Sequence, residues 1–466
     1  DNDGLIMSAG PLQIIRKHAS GDVESTQLGQ LSTTESTNRF GELDGYASAF
    51  NGAALYSNQV TVRDAAGRIV DRTESVQGNA HAFHYVYDDA GRLTDVSMDG
   101  ALQAHYVYDD NGNRRSLTQA SATLTGTYDA QDRLSSYGPY EYTYSAVGAL
   151  KTKTSTGTGA VTTYDYDSLG NLRGVQLPDG RNIQYAVDAR SRRIAKSVNG
   201  TRSYGLLYAG ELKPVAQLAA DDSVIATFVY ATRSSAPDYM RKGGNVYRFL
   251  VDHVGSVRLV VNVADGSVAQ RIDYDEFGSV LFDTNPGFQP FGFAGGLYDP
   301  DTGLVRFGAR DYEAVTGRWT AKDPILFGGG QANLYAYVGG DPVNRIDPSG
   351  EVAVVDDVAV VGAAMAATAL ATWCVGGGCQ AVSDSLAQLG DAIGQAWDRV
   401  FSDNAAEKRQ LKELGRILGK SVDELSDSLH KIKKAAGLRG KSVDIAPDGT
   451  VTDPVSGEDI GNICDG

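Results

Sequence analysis

His430 is followed three and four residues later by Lys433 and Lys434. On a helix, His430 and Lys433 share one side. Imidazole exchanges a proton near neutral pH, and a neighbouring ammonium can hold a phosphate. The pair therefore has the groups that acid–base cleavage of RNA requires. Asp444 is the candidate third member. A solvated helix face bearing a single histidine has the same spacing, and spacing alone does not separate the two. Elsewhere the chain shows no spacing that calls for a cofactor or a metal. The glycine run at residues 328–330 lacks the strand–loop–helix setting of a nucleotide site. Cys374, Cys379 and Cys464 are too few for a disulfide framework and read as ordinary thiols.

The elements that would position His430 are legible. Residues 407–418 carry Leu411, Leu414 and Leu418 at helical spacing. A second helix is predicted from a capping box of Ser421 and Glu424. Val422, Leu425, Leu429, Ile432 and Ala436 line one face of it, and Gly437 is its stop signal. SVDIAPDGTVTDP then reads as a short hairpin turning at Pro447, Asp448 and Gly449. Upstream, residues 358–375 carry no charge and just reach the length of a membrane span. They are dominated by alanine, with Gly362 and Ala366 at a small-residue packing interval. A buried or linker helix and a membrane contact both fit.

The first 300 residues have another character. A unit of the form aromatic-x-Tyr-Asp-x-x-Gly-x-Leu recurs about every twenty residues. YVYDDAGRL begins at Tyr85, YVYDDNGNR at Tyr106, YTYSAVGAL at Tyr142 and YDYDSLGNL at Tyr164, with weaker copies from Val62, Tyr128 and Asp273. Alternation puts Tyr85 and Tyr87 on one face of a strand. Asp88 can bond the backbone ahead of it, Gly91 can take a positive φ, and Leu93 restarts the next strand. Each unit is half a β-hairpin that must stack on its neighbours to bury its face. The 55 glycines, 24 tyrosines and 13 prolines of the 466-residue chain suit many short strands. A net charge of −16 argues against the chain as a whole gripping nucleic acid, leaving only the local basic run at residues 431–441. Residues 233–244 read as a loop. His253 reads as a turn residue bonding the backbone. The chain begins DNDG with no signal region, which reads as a piece of a longer protein.

Residues 297–350 contain YDPDTGL, FGARDY, GRW, KDP, NLYAYV, DPVN and IDPSG in succession. This run closely resembles the core segment that ends the repeat region of RHS/YD-repeat proteins. That family includes polymorphic toxins, the C components of insecticidal toxin complexes and teneurin-like proteins. The resemblance implies a mainly β fold, in which YD hairpins spiral into a shell that this chain covers in part. It places His253 in a D-H-x-G-S motif of the family. It also implies an aspartyl autoprotease that cuts just after the terminal DPxG. The family's arginine and two aspartates fall on Arg310, Asp323 and Asp347. Two carboxylates held close cannot both ionise, so one can act as acid while the other activates water. Asp-Pro also starts turns, so a structural plug is the alternative. Glu351 stands where the family usually carries leucine.

Residues 421–463 resemble a C-terminal toxin module of polymorphic toxins, toxin type 33. Four segments are thus expected: a YD shell fragment at 1–296, the core at 297–350, an apolar linker at 351–404 and a small helical-plus-hairpin toxin at 405–466. The resemblance implies a secreted or injected bacterial effector, with a cognate immunity protein, delivery machinery and RNA as partners. A YD scaffold or adhesion protein without enzymatic cargo is the competing reading.

Overall fold

The computed structural model describes residues 5–353 except 19 and 121, and the backbone of Asp444–Ile445, Thr450–Thr452 and Asp459–Asn462. The chain divides into two compact units, Asp1–Thr372 and Trp373–Gly466. The first is built on a 27-stranded sheet. From Ser8–Ala9 to Val280–Asp283 every strand pairs antiparallel with the next one in the chain. Among the described residues the helical elements are three 3₁₀ turns.

The repeat explains this meander. On Asn79–Tyr87, Tyr85 is buried, Val86 is exposed and Tyr87 is half-buried, the two-residue period of a strand with one face covered. At the turn, Asp88 Oδ1 accepts the amides of Ala90 and Arg92, and its Oδ2 accepts Arg92 Nε. Gly91 has φ +83°, a region that a residue with a Cβ rarely enters. The hydroxyl of the second tyrosine reaches back to the preceding unit. Tyr87 donates to the Ile69 carbonyl, Tyr108 to Leu93, Tyr128 to Arg114 and Tyr208 to Arg193, at 2.7–2.9 Å. These four repeats are thereby stapled to their predecessors as well as laddered to them.

The sheet folds back on itself. Leu12, Ile14 and Val23 share one hydrophobic cluster with Val229 and Tyr239. Leu31, Tyr46 and Tyr56 share another with Leu250, Leu259 and Val261. Early strands thus form one layer and late strands the layer facing them. The space left is filled by residues 288–350. Leu304 enters the cluster of Tyr142, Tyr164, Leu172 and Ile183, and Val343 joins that of Ile69, Tyr85 and Tyr106. This segment carries its own four-stranded sheet, Leu297–Asp299, Leu304–Phe307, Arg310–Glu313 and Arg318–Trp319. Phe293, Phe307, Tyr312, Trp319 and Tyr337 pack beneath it with ring centroids 4.4–6.1 Å apart.

Two local readings change. Residues 233–244 are not all loop, because Tyr239–Lys242 is a strand pairing with Val224–Val229 and Asn245–Val251. Asp238 makes this so: its carboxylate accepts the amides of Ala231 and Thr232 and the Thr232 hydroxyl, and pairs with Arg248 at 3.0 Å. His253 does bond a backbone carbonyl, but a distant one. Its Nε2 lies 2.9 Å from the Val343 oxygen and its Nδ1 3.1 Å from Asn58 Nδ2. Burial lowers its pKa to about 3, so the imidazole is a neutral link between the wall and the core segment. In the second unit, Asp444 pairs antiparallel with Thr452 and Ile445 with Val451, and the expected turn at Pro447, Asp448 and Gly449 lies outside the described residues. Asp459–Asn462 adds a third strand.

Candidate active site

Arg310 and Asp311 are neighbours on a buried strand, so their side chains leave opposite faces. Asp311 faces the wall, where Arg193 meets one oxygen at 2.6 Å and Arg306 the other at 2.7 Å. Arg306 is also the direct register partner of Asp311 on the adjacent strand. Further ties hold the segment. Lys196 binds Asp299 and Asp301 at 2.5 Å, Lys153 binds Glu313 at 2.6 Å and Arg318 binds Asn113 at 2.8 Å. The strand carrying Arg310 is therefore anchored from below by buried charge pairs.

On the other face the Arg310 guanidinium stacks on the Trp319 ring, 4.1 Å from its centroid. Its Nη2 meets Asp323 Oδ2 at 2.9 Å and Asp347 Oδ2 at 3.2 Å. Its Nη1 donates to the Leu334 carbonyl and its Nε to the carbonyl of Gly350. The three residues expected from the sequence, far apart along the chain, thus converge on one guanidinium. That guanidinium holds the carbonyl of the peptide bond following the DPSG motif.

Asp347 has a second function here. Its Oδ1 accepts the amides of Glu351 and Val352 and the Ser349 hydroxyl at 3.0–3.1 Å. The segment after Gly350 is thus pinned across the carboxyl pair. Gly350 has φ +70°, and a Cβ there would stand 2.4 Å from the Phe307 carbonyl oxygen. Gly308 has φ +38°, and its Cβ would stand 2.1 Å from the Ser349 oxygen. The tip of the hairpin at Gly308 and the DPSG turn therefore lie backbone to backbone, joined by Ala309 N–H donating to the Ser349 carbonyl at 2.8 Å. At Gly329 an added Cβ would lie 2.6 Å from the Glu351 carbonyl oxygen and 2.9 Å from Asp323 Oδ2. The Glu351 backbone and the Asp323 carboxyl consequently border the same small space.

Arg310, Asp323 and Asp347 are 3%, 6% and 0% exposed. Burial raises the Asp323 carboxyl above its ordinary value; Asp347 adds to this and Arg310 opposes it. Burial likewise raises Glu351, reinforced by Asp323 and Asp347. Asp323 and Glu351 thus both favour holding a proton, while Asp347 accepts hydrogen bonds from Arg310 and from the Glu351 amide. Trp319, Leu334 and Gly329 were not singled out from the sequence. GRW and NLYAYV contain Trp319 and Leu334, and Gly329 lies in the glycine run at 328–330, but no role in the site followed from them. His430 and Lys433 lie outside the described residues, as do the cysteines and residues 358–375. Asp444 lies on a described strand, with only its backbone placed. Among the described residues no helix is long and apolar enough to cross a membrane, and no cluster of His, Cys, Asp and Glu could hold a metal.

The sequence profile of the teneurin YD shell matches residues 1–343. The chain belongs to the teneurin YD-shell family. Chicken teneurin-1 is 32% identical to this YD shell over 297 residues, covering 61% of this chain and 11% of that protein. The salivary gland surface protein 1 of Aedes aegypti is 34% identical over 129 residues, covering 27% of this chain and 4% of that protein. The chain spans about a tenth of the length of the teneurins it matches. The crystal structure of TcdB2–TccC3 aligns with 73% of this chain and 22% of that one, at 16% identity and a TM-score of 0.40. The family match ends at residue 343, four residues before Asp347, so the carboxylate pair straddles its edge.

Proposed function

We propose that this chain is a YD shell whose core segment hydrolyses its own backbone after Gly350 and so releases the C-terminal residues as cargo. One observation carries the reading: Arg310 holds the Gly350 carbonyl while gathering Asp323 and Asp347. The guanidinium stabilises negative charge developing on the carbonyl oxygen. Asp347 takes a proton from water as the water oxygen bonds to the Gly350 carbon. Asp323 delivers its proton to the Glu351 nitrogen as the C–N bond breaks. The products are a Gly350 carboxyl and a Glu351 amine, and the carboxyl pair returns to its starting state by passing one proton across.

The cargo would be the module at 405–466, with His430, Lys433 and Asp444 cleaving RNA. The protein would then be a secreted or injected bacterial effector needing delivery machinery and a cognate immunity protein. A shell that holds the module until delivery gives a reason to join it to a cutting segment. A second reading is a YD scaffold with a static plug, favoured by the full hydrogen-bonding of Asp347.

Intact mass of the purified full chain beside Asp347→Asn separates them. Two pieces meeting at Gly350 in the wild type and a single chain in the variant support self-cleavage. Two whole chains, with the variant the less stable, support the plug. Growth arrest by residues 405–466 alone, relieved by His430→Ala, tests the cargo.

A further inference from the structure

Five residues after the aspartate of a wall turn the repeat carries leucine, and Leu93, Leu134 and Leu172 are buried there. In the turn that begins at Asp188 the same position holds Arg193, which is 1% exposed. A guanidinium in a leucine's place needs counter-charge, because an uncompensated buried cation is costly. Asp311 supplies one carboxylate, but Arg306 takes its other oxygen. Two buried guanidiniums thus share a single carboxylate. A contact with the Tyr185 ring at 3.6 Å covers one face of Arg193 without satisfying an N–H. Nε and Nη1 of Arg193 and Nε of Arg306 have no hydrogen-bond partner among the described residues. Both arginines line a cleft of about 40 Å³ between the wall and the core segment. Arg192 lines it too, already bound to Asp188 and to the Gly210 carbonyl. Glu211, exposed, is the one carboxylate among the described residues that line it. Ala294, Gly295, Gly296 and Gly308 also border the cleft and leave it open, since none carries more than a methyl.

We propose that this cleft is an anion site, in which Arg192, Arg193 and Arg306 hold one oxyanion of phosphate size and so tie the wall to the core segment. The ion is either free phosphate or the phosphoryl end of a small molecule. Charge favours it, with three guanidiniums on the lining against one carboxylate. Size favours it as well. A space of about 40 Å³ holds about three waters, or one tetrahedral oxyanion in their place. The ion supplies the acceptors that Arg193 and Arg306 lack, and guanidinium N–H groups bond phosphate oxygens strongly. Gly308 and Pro348 also line the cleft, so it abuts the DPSG turn, but it uses none of Arg310, Asp323 and Asp347. The site therefore stands whether or not the chain cuts itself.

The test is calorimetric titration of the full chain with inorganic phosphate and, separately, with glycerol 1-phosphate, with chloride holding the ionic strength constant. One phosphate is expected to bind per chain, and the melting temperature is expected to rise with its concentration. Binding of both probes assigns the phosphoryl end of a small molecule, and binding of inorganic phosphate alone assigns the free ion. Arg193→Met should abolish binding, but it also leaves Asp311 with one partner fewer. Two variants at exposed lining positions therefore carry the test, because they should move affinity in opposite directions. Glu211→Gln removes the opposing carboxylate and should tighten binding about threefold. Leu212→Glu adds a carboxylate at a side chain that is 39% exposed, and should weaken binding about threefold. Failure of inorganic phosphate to bind, or the same affinity in the wild type and both of these variants, overturns the assignment.

Discussion

Aspartates do opposite work in the wall and in the core segment. In the wall, Asp64, Asp88, Asp129 and Asp188 each hold an arginine four residues on, at 2.6–2.7 Å, with carboxylates that are 21–33% exposed. The partner is local and water reaches it. In the core segment, Asp299 and Asp311 take partners more than a hundred residues away, Lys196 and Arg193, and are almost wholly buried. A wall turn is therefore a self-contained device that can be copied along the chain. A core aspartate is meaningful only once the wall has closed around it. Asp323 and Asp347 share the burial of the core aspartates and, through Arg310, a partner outside their own turns, which is why those two can be asked to do chemistry.

The largest effect should come from breaking the core side of this contrast. Asp311→Ala strands Arg193 and Arg306, whose side chains are 1% and 3% exposed, without their counter-charge. Uncompensated buried charge typically destabilises by about 3–5 kcal/mol. Urea unfolding should show it as a large fall in midpoint with little change in slope. The double variant with Arg193→Ala should lose less than the sum, because the two share one interaction. Strict additivity would mean that the triad is not a unit.

Next comes the contact between the Gly308 hairpin tip and the DPSG turn. Gly308→Ala places a Cβ 2.1 Å from the Ser349 carbonyl oxygen at a positive φ. Left-handed backbone and overpacking together should cost about 2–4 kcal/mol. Displacing Ser349 also displaces Gly350 from Arg310. Cutting should therefore fall further than stability does, read as the cut fraction in chains that remain folded at low temperature. Unchanged cutting would place the scissile bond elsewhere.

How much of this was visible in the sequence follows the same division. Tyr85, Asp88 and Gly91 lie within seven residues, and strand period and turn chemistry determine what they do. The shell was accordingly legible, and the resemblance named Arg310, Asp323 and Asp347. Their convergence was not derivable from spacing. It depends on Trp319 beneath the guanidinium, on the Leu334 carbonyl beside it and on Gly329 leaving room, three long-range facts. The strand Tyr239–Lys242 was missed for a related reason: its serine-, proline- and glycine-rich surroundings read as loop, while Asp238 and Arg248 make them a buried turn. The staple from Tyr87 to Ile69 could have been anticipated, since a buried hydroxyl needs a partner and the preceding strand offers backbone carbonyls.

A cavity wall between the two regions offers a smaller, pH-dependent effect. Glu276 lies beside Asp275 in a cavity of about 410 Å³ that Arg72, Glu74, Asp252 and Val343 also line. Burial, and then Asp275, raise its carboxyl to about 7. A raised acid stabilises the fold in its neutral form, fully below the ordinary glutamate range, and that stability is lost as pH rises through about 7. With its partial exposure discounted, the wild type should lose about 1 kcal/mol relative to Glu276→Gln between pH 5 and pH 8. Parallel stability curves for the two chains would show that Glu276 titrates normally.

The smallest effect tests the wall. Asp88→Ala removes two bonds to amides and one to Arg92, all within four residues and open to water. Solvent can replace much of this, so the loss should be about 1 kcal/mol. Asp188→Ala removes the equivalent set at Arg190 and Arg192 and should cost the same. The informative number is the sum. The two turns lie a hundred residues apart and share no partner, so the double variant should be additive within about 0.5 kcal/mol. Additivity here beside non-additivity at Asp311 and Arg193 would mean that the wall is assembled from independent local turns and the core from one cooperative charge network. If the wall pair were strongly coupled instead, the staples from each tyrosine to the preceding unit would be transmitting strain along the meander. The repeat would then no longer be the unit of stability.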